Sequence, residues 1–246
     1  FLVLPIFIKE SLSGIIHLGY LTPPVLIQDD LDQARQLADQ MAVALSNATL
    51  IKELNQLNLG TLTAFARTID AKSPWTAGHS ERVTKLALEI GKVLGLSPKE
   101  LDALHRGGLL HDTGKVGTPA EILDKAGKLT DEETRLMHEH VRIGARILEP
   151  IAAYADVIPI VLQHHEWFDG TGYPYGISGE AINLGARIFG VADYFDAMTS
   201  DRPYRPGMDR KRVIESIKQE AGRQFDPKVV EAFLQVMEEE KKDGGT

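Results

Sequence analysis

Residues 104–115 read LHRGGLLHDTGK. Leu101, Leu104, Gly108 and Leu109 recur at the spacing of one helix face, so this stretch is an apolar helix. It ends on an imidazole and a carboxylate, His111-Asp112. Gly114 is expected to let the backbone turn, and Lys115 follows three residues after Asp112, so both can address one pocket. The same period spreads outward. Leu62, Phe65, Ala66 and Ile69 form one face, and Val83, Leu86, Ala87 and Ile90 another that Gly95 closes. Leu136, Val141, Ile143 and Ile147 form a further face. More helices are expected around residues 155–165, 186–200, 209–221 and 226–240. Strand signals are absent after about Leu57, so the fold expected is mainly α, a helical bundle with functional loops.

The beginning of the chain differs. Residues 1–8 and 14–21 are apolar, β-branched runs separated by KESLS, which read as a hairpin or adjacent strands. Two strands do not make a stable sheet alone, and Phe1 starts in mid-pattern, so this segment reads as the downstream part of something longer. Pro23-Pro24 breaks the pattern, and Asp29 or Asp30 can cap a helix. That helix has a seam of Leu31, Ala34, Ala38, Met41, Leu45 and Ala48, replaced after Lys52 by a shifted stripe of Ile51, Leu54 and Leu57. A 3.5-residue period suits pairing with a second copy. Packing on its own domain suits it equally.

The bulk numbers set limits. The 246 residues carry a net charge of −8, which argues against a non-specific grip on long nucleic acid but not against a small anion. The apolar opening FLVLPIFI is too short to span a bilayer and lacks a basic leader, so no membrane insertion and a cytoplasmic location are expected. There is no cysteine, so any metal must be held by nitrogen and oxygen.

Such donors are present. Among the eight histidines, His17 and His105 read as structural. His138 and His140, two apart on one helix, should point away from each other. Asp193 and Asp196 lie three apart in the mostly apolar VADYFDAMTS, where a buried carboxylate needs a cation or donors. Imidazole and carboxylate without sulfur suit Fe, Mn, Ni, Co or Zn. Asp112 could bridge two such ions, and a metal pair about 3.5–4 Å apart can activate a bridging water for phosphoryl displacement. Arg202 and Arg205 in SDRPYRPG read as phosphate forks or as a solvated loop.

The ordered motifs GHSERV, LLHDTGKVGTPAEILDKAGKLT, MHEHVRIGARIL, HHEWFDGTGYPYG, GARIFGVADYFDAMTSDRPYR and QFDP resemble the HD-GYP subgroup of the HD-domain phosphohydrolases across about residues 58–240. The resemblance implies a helical, metal-dependent phosphodiesterase that hydrolyses cyclic di-GMP to pGpG, with GMP following in some members. It implies that a metal-bridging hydroxide would be the nucleophile on the phosphodiester. It implies His79, His111, Asp112, His140, His164, His165 and Asp193 as metal ligands. His79, His111, Asp112 and Asp193 would surround one ion, and Asp112 would join His140, His164 and His165 around the other. The two ions expected are iron or manganese, with nickel, cobalt and zinc compatible. Lys115 matches the lysine that contacts the scissile phosphate, and its ammonium is a candidate donor to the departing 3′ oxygen. Tyr173 and the loop glycines would form the pocket mouth, while Arg202 and Arg205 fall where substrate phosphates are held. Glu166 and Asp169 either bond the imidazole N–H groups or fix the turn. Diguanylate cyclases (GGDEF proteins) are implied partners.

Trinuclear members place a carboxylate four residues before the histidine matching His79. This chain has Trp75 there, so two ions are expected unless a carboxylate such as Asp70 reaches in. Residues 1–28 resemble the closing strands of a GAF sensory domain, 29–57 a linker helix that can pair as a coiled coil, and 241–246 a frayed tail. Two other readings stay open: a module that binds the dinucleotide or a partner without turnover, and an HD phosphohydrolase of another nucleotide.

Overall fold

The computed structural model describes residues 1–22, 25–201 and 206–243, so Arg202 and Arg205 lie outside the described residues. The chain divides into two compact units, Phe1–Gly60 and Thr61–Thr246.

In the first unit β1 (Leu2–Ile8) and β2 (Ser11–Leu18) pair antiparallel, from Leu2 opposite Leu18 to Ile8 opposite Ser11, with an irregularity between Ile6 and Phe7. The turn is shorter than KESLS. Only Lys9 and Glu10 make it, both at positive φ (46° and 67°), the backbone of a two-residue turn whose twist matches the strands. Helix α1 (Gln28–Asp70) follows. Asp30 does not cap it from the front; its carboxylate reaches back to the Ile27 N–H at 2.9 Å, so the helix begins ahead of both aspartates. Nothing interrupts α1 at Leu57. Ala38 is buried, whereas Met41, Leu45, Ile51, Leu54 and Leu57 are exposed, the last at 67%.

The second unit begins with the last turns of α1, which bury Leu62, Ala66 and Ile69 while Phe65 stays exposed. Helix α2 (His79–Val93) buries Val83, Leu86, Ala87 and Ile90, and Gly95 turns the chain at φ 75°. Helix α3 (Pro98–Leu110) starts at a reciprocal Ser97–Glu100 capping box with Pro98 in its first turn. After a short 3-10 turn (Thr113–Gly117) come α4 (Ala120–Leu123), α5 (Asp131–His138) and α6 (His140–Leu148). The face expected from Leu136 to Ile147 is corrected here. The chain breaks between helices at Glu139, the two registers do not join, and Leu136 and Ile147 end up exposed while Val141, Ala145 and Leu148 are buried. Helices α7 (Ile158–Gln163), α8 (Leu184–Thr199), α9 (Arg210–Gln219) and α10 (Pro227–Asp243) complete the unit.

Two apolar clusters hold these helices. The larger gathers Ile90, Leu104, Phe189, Ile217 and Phe233 from α2, α3, α8, α9 and α10. The smaller joins Leu62, Leu109, Leu110, Leu148 and Val161. The 3-10 turn lies directly on α6. A Cβ on Gly114 would stand 1.8 Å from the His140 carbonyl oxygen and 2.6 Å from the Gly144 nitrogen. Gly114 is therefore needed for close approach of two backbones, not for an unusual φ. Gly114→Ala is expected to lower stability in thermal or denaturant unfolding by at least about 1–3 kcal/mol. By contrast Gly60→Ala, whose Cβ meets nothing within 4 Å in mid-helix, should raise it by about 0.5–1 kcal/mol.

Candidate metal centre

The ends of four helices deliver the imidazoles. His79 opens α2, His111 follows α3, His140 opens α6, and His164 and His165 follow α7. In three of them Nδ1 lies on a carbonyl three residues back: His111 on Gly108 at 2.6 Å, His140 on Met137 at 2.7 Å, His164 on Val161 at 2.9 Å. A carbonyl only accepts, so each Nδ1 carries a proton and each Nε2 keeps its lone pair while the ring is neutral. Burial lowers His111, but the Asp112 and Asp193 charges outweigh it and raise His111 above its ordinary value. The Nδ1 of His79 instead meets Asp196 Oδ2 at 2.7 Å, and Asp196 is held in turn by the Arg82 guanidinium at 2.6 and 3.0 Å.

The freed nitrogens converge. His140, His164 and His165 form one group that could hold an ion, and His79, His111 and Asp193 another. Asp112 stands between them. Its Oδ2 is 3.7 Å from His79 Nε2 and 3.4 Å from His111 Nε2, and its Oδ1 is 3.7 Å from His140 Nε2. Asp193 Oδ1 is 3.2 Å from His79 Nε2.

These atoms fit a cation. His111 Nε2 is buried with no hydrogen-bond partner. His140 Nε2 and His164 Nε2 face each other at 3.5 Å with both Nδ1 protons already donated, an approach of two lone pairs that a shared positive ion relieves. Burial pushes His140 down to about 4, His165 down to about 3 and His164 well below its ordinary value, so this group is neutral at pH 7. In the other group burial lowers His79, but its hydrogen bonds to Asp193 and Asp196 outweigh that and raise it to about 9. Burial would raise Asp112 and Asp193. Instead Lys115 and His111 hold the first well below the carboxylate range, and His79 does so for the second.

Lys115 Nζ reaches Asp112 Oδ2 at 2.5 Å from the 3-10 turn. That turn is braced by a residue the sequence did not flag: Lys72 Nζ donates to the carbonyls of Lys115, Val116 and Thr118 at 2.5–2.8 Å. Beside His165, the 166–176 loop folds back so that the Tyr173 N–H meets the His165 carbonyl at 3.2 Å. A Cβ on Gly172 would lie 2.2 Å from the Trp167 nitrogen. Glu166 Oε1 accepts from the Tyr175 N–H at 2.7 Å and Asp169 Oδ1 from Thr171, so both brace the turn, and Glu166 Oε2 is buried without a hydrogen-bond partner. Tyr173 stacks on His138 and on His165. Asp70 is fully engaged by the Ser80 N–H and hydroxyl at 3.1 and 2.7 Å, and Trp75 is 41% exposed. Of the other histidines, His17 lies in β2 and His105 in α3. The roles of Asp196 and Arg82 were hidden in sequence; GHSERV and the Asp193–Asp196 spacing were the only signals.

Below about pH 9 a cation at the His79 group must displace a proton, so its affinity there should rise with pH up to that point. The His140 group has no proton to lose above about pH 4, and its affinity should stay flat across neutrality. Calorimetric titration in buffers of different ionisation heat reads the protons released at each step. Asp196→Asn should weaken the His79 group alone, by roughly 10–100-fold in metal affinity, as seen by competition with a chelator.

The HD-domain family model matches residues 63–229. The chain is 39% identical over 176 residues to a 3′3′-cGAMP-specific phosphodiesterase of Vibrio cholerae, covering 72% of this chain and 38% of that protein. It is 36% identical over 231 residues to a cyclic di-GMP phosphodiesterase of the same organism, covering 87% and 46%. A third relative, a Thermotoga maritima cyclic di-GMP phosphodiesterase, is 40% identical over 67% of this chain and 45% of its own length. The chain thus spans about half or less of these relatives. Among solved structures, a V. cholerae cyclic GMP-AMP specific phosphodiesterase superposes with a TM-score of 0.58 at 22% identity, covering 73% of this chain and 48% of that one. The HD domain of an L. monocytogenes phosphodiesterase in complex with cyclic di-AMP superposes at 0.51 and 19% identity, covering 71% and 95%. With its helical second unit and the matched span, the chain belongs to the HD-domain family.

Proposed function

We propose that the chain is a metal-dependent phosphodiesterase of the HD-GYP subgroup that opens cyclic di-GMP to pGpG and carries some of it on to GMP. The observation that carries this reading is the pair of buried donor groups with Asp112 turned to both. Their residues would hold two divalent ions: His79, His111 and Asp193 one, His140, His164 and His165 the other, with Asp112 shared. Iron or manganese leads, and nickel, cobalt or zinc is compatible. When bound, such ions supply Lewis acidity to a phosphodiester and activate water. No further carboxylate is offered at Trp75 or Asp70, which supports two ions rather than three.

The chain's own residues do the rest. Lys115, tethered through Lys72, places an ammonium at the edge of the site for a phosphate oxygen and for the departing 3′ oxygen. The Tyr173 hydroxyl stays protonated, because burial and the Asp193 and Asp112 charges raise its pKa, and so it is a donor toward an anionic substrate. Arg202 and Arg205 are assigned to the substrate phosphates by resemblance alone. The relative named for 3′3′-cGAMP, at 39% identity, favours that dinucleotide as a second substrate.

Residues 1–28 are assigned to the end of a GAF-like domain and 29–57 to a linker. The exposed Ile51, Leu54 and Leu57 support pairing of that helix with a second copy. Diguanylate cyclases are the protein partners this reading implies. Among the described residues no helix is long and apolar enough to cross a membrane, and a cytoplasmic site of action is part of the proposal.

Steady-state assays with Mn²⁺- or Fe²⁺-loaded protein, cyclic di-GMP and 3′3′-cGAMP, with product identification, test the reading. Bound metal without pGpG or GMP would favour a binding module instead. Asp112→Ala is expected to abolish turnover. Lys115→Ala should retain the metals while lowering kcat by roughly 10²–10⁴-fold, and a variant that loses its metals would contradict this role.

A further inference from the structure

Tyr173 is the aromatic residue of the loop that stacks beside the metal group, and both faces of its ring are taken. His138 lies over it at 3.6 Å between centroids and 7° between planes, and His165 stacks at 4.8 Å and 28°. Two rings cannot share one face at those separations, so Tyr173 is sandwiched and offers only its edge and hydroxyl. The three rings form a column that starts at the metal-group residue His165 and ends at His138. His138 is half-buried, and Tyr173 is its one ring partner among the described residues. Neither of its ring nitrogens has a hydrogen bond among those residues. Its place is not incidental. His138 closes α5 and His140 opens α6, so the corner that presents a donor to the site also sets the height of the column. Arg142, one turn on, ties the same corner to the loop through the Pro174 carbonyl at 3.1 Å.

We propose that the outer face of His138 is a stacking platform for one purine of the dinucleotide, making His138 a substrate-binding residue. This rests on the cyclic dinucleotide reading above. Every nucleobase has a π-face, so such a platform accepts guanine and adenine alike and adds affinity without choosing between them. A substrate with one phosphodiester on the metal groups has a base on either side of it, and the column offers one of them a ready surface.

The test is equilibrium binding to the metal-loaded chain. The probes are pGpG with a hydrolysis-resistant phosphorothioate linkage and the same dinucleotide with both bases replaced by abasic spacers. His138→Ala should weaken pGpG roughly tenfold or more and the abasic probe much less. His138→Phe should restore pGpG binding, and His138→Trp should show indole fluorescence quenched by pGpG and not by the abasic probe. Equal weakening of both probes by His138→Ala would mean that the imidazole merely props Tyr173, and an unchanged pGpG affinity would also overturn the proposal. Failure of the broader reading shows separately, as wild-type chain that binds pGpG but does not open the cyclic substrate.

Discussion

Everything at the centre of this chain depends on where three ring protons go. The carbonyls in the last turn of a helix have no amide partner within it. On α3, α5 and α7 one of them, from Gly108, Met137 or Val161, is taken by the Nδ1–H of a histidine three residues on. Each imidazole therefore finishes a helix and, by the same bond, turns its other nitrogen inward. The result is a knot of lone pairs and carboxylates in a buried space, which would be costly without positive charge. One part of it, around His79, offsets that cost with a proton, and the other has none to use. The two halves of the centre are thus chemically unlike, though built from the same side chains.

Much of this was legible in the residues. Apolar periodicity placed the helices because burial, the force that selects them, leaves its mark at every third or fourth position. The absence of cysteine limited the donors to nitrogen and oxygen, and the resemblance of the ordered motifs, not composition, picked out the seven residues. What escaped was of another kind. The joint at Glu139 interrupts a pattern that still reads as one helix by composition. The Lys9-Glu10 turn adopts positive φ without a glycine to announce it. Gly114 was read as a flexible turn, yet its need is set by the His140 carbonyl, distant in sequence. Lys72, Asp196 and His138 matter through contacts that form only once helices pack, and no local pattern records those.

The loop after His165 shows the same division. Its acidic residues invite a reading as metal-shell groups. Glu166 Oε2 stays buried without a hydrogen-bond partner, but Glu166 Oε1 and Asp169 Oδ1 accept from Tyr175 and Thr171 of the loop itself and hold its shape. Its shape then fixes Tyr173 by stacking on either side, so the ring is rigid by packing rather than by hydrogen bonding.

Backbone atoms cannot be exchanged by a codon change. The bonds that aim His111, His140 and His164 are therefore insulated from single substitutions at the accepting position. His79 leans instead on side chains, Asp196 and behind it Arg82, and this leaves an adjustable screw beside three fixed mountings. Within a lineage, drift in cation preference has an open route there, and the neighbouring triad of imidazoles should change little while it happens.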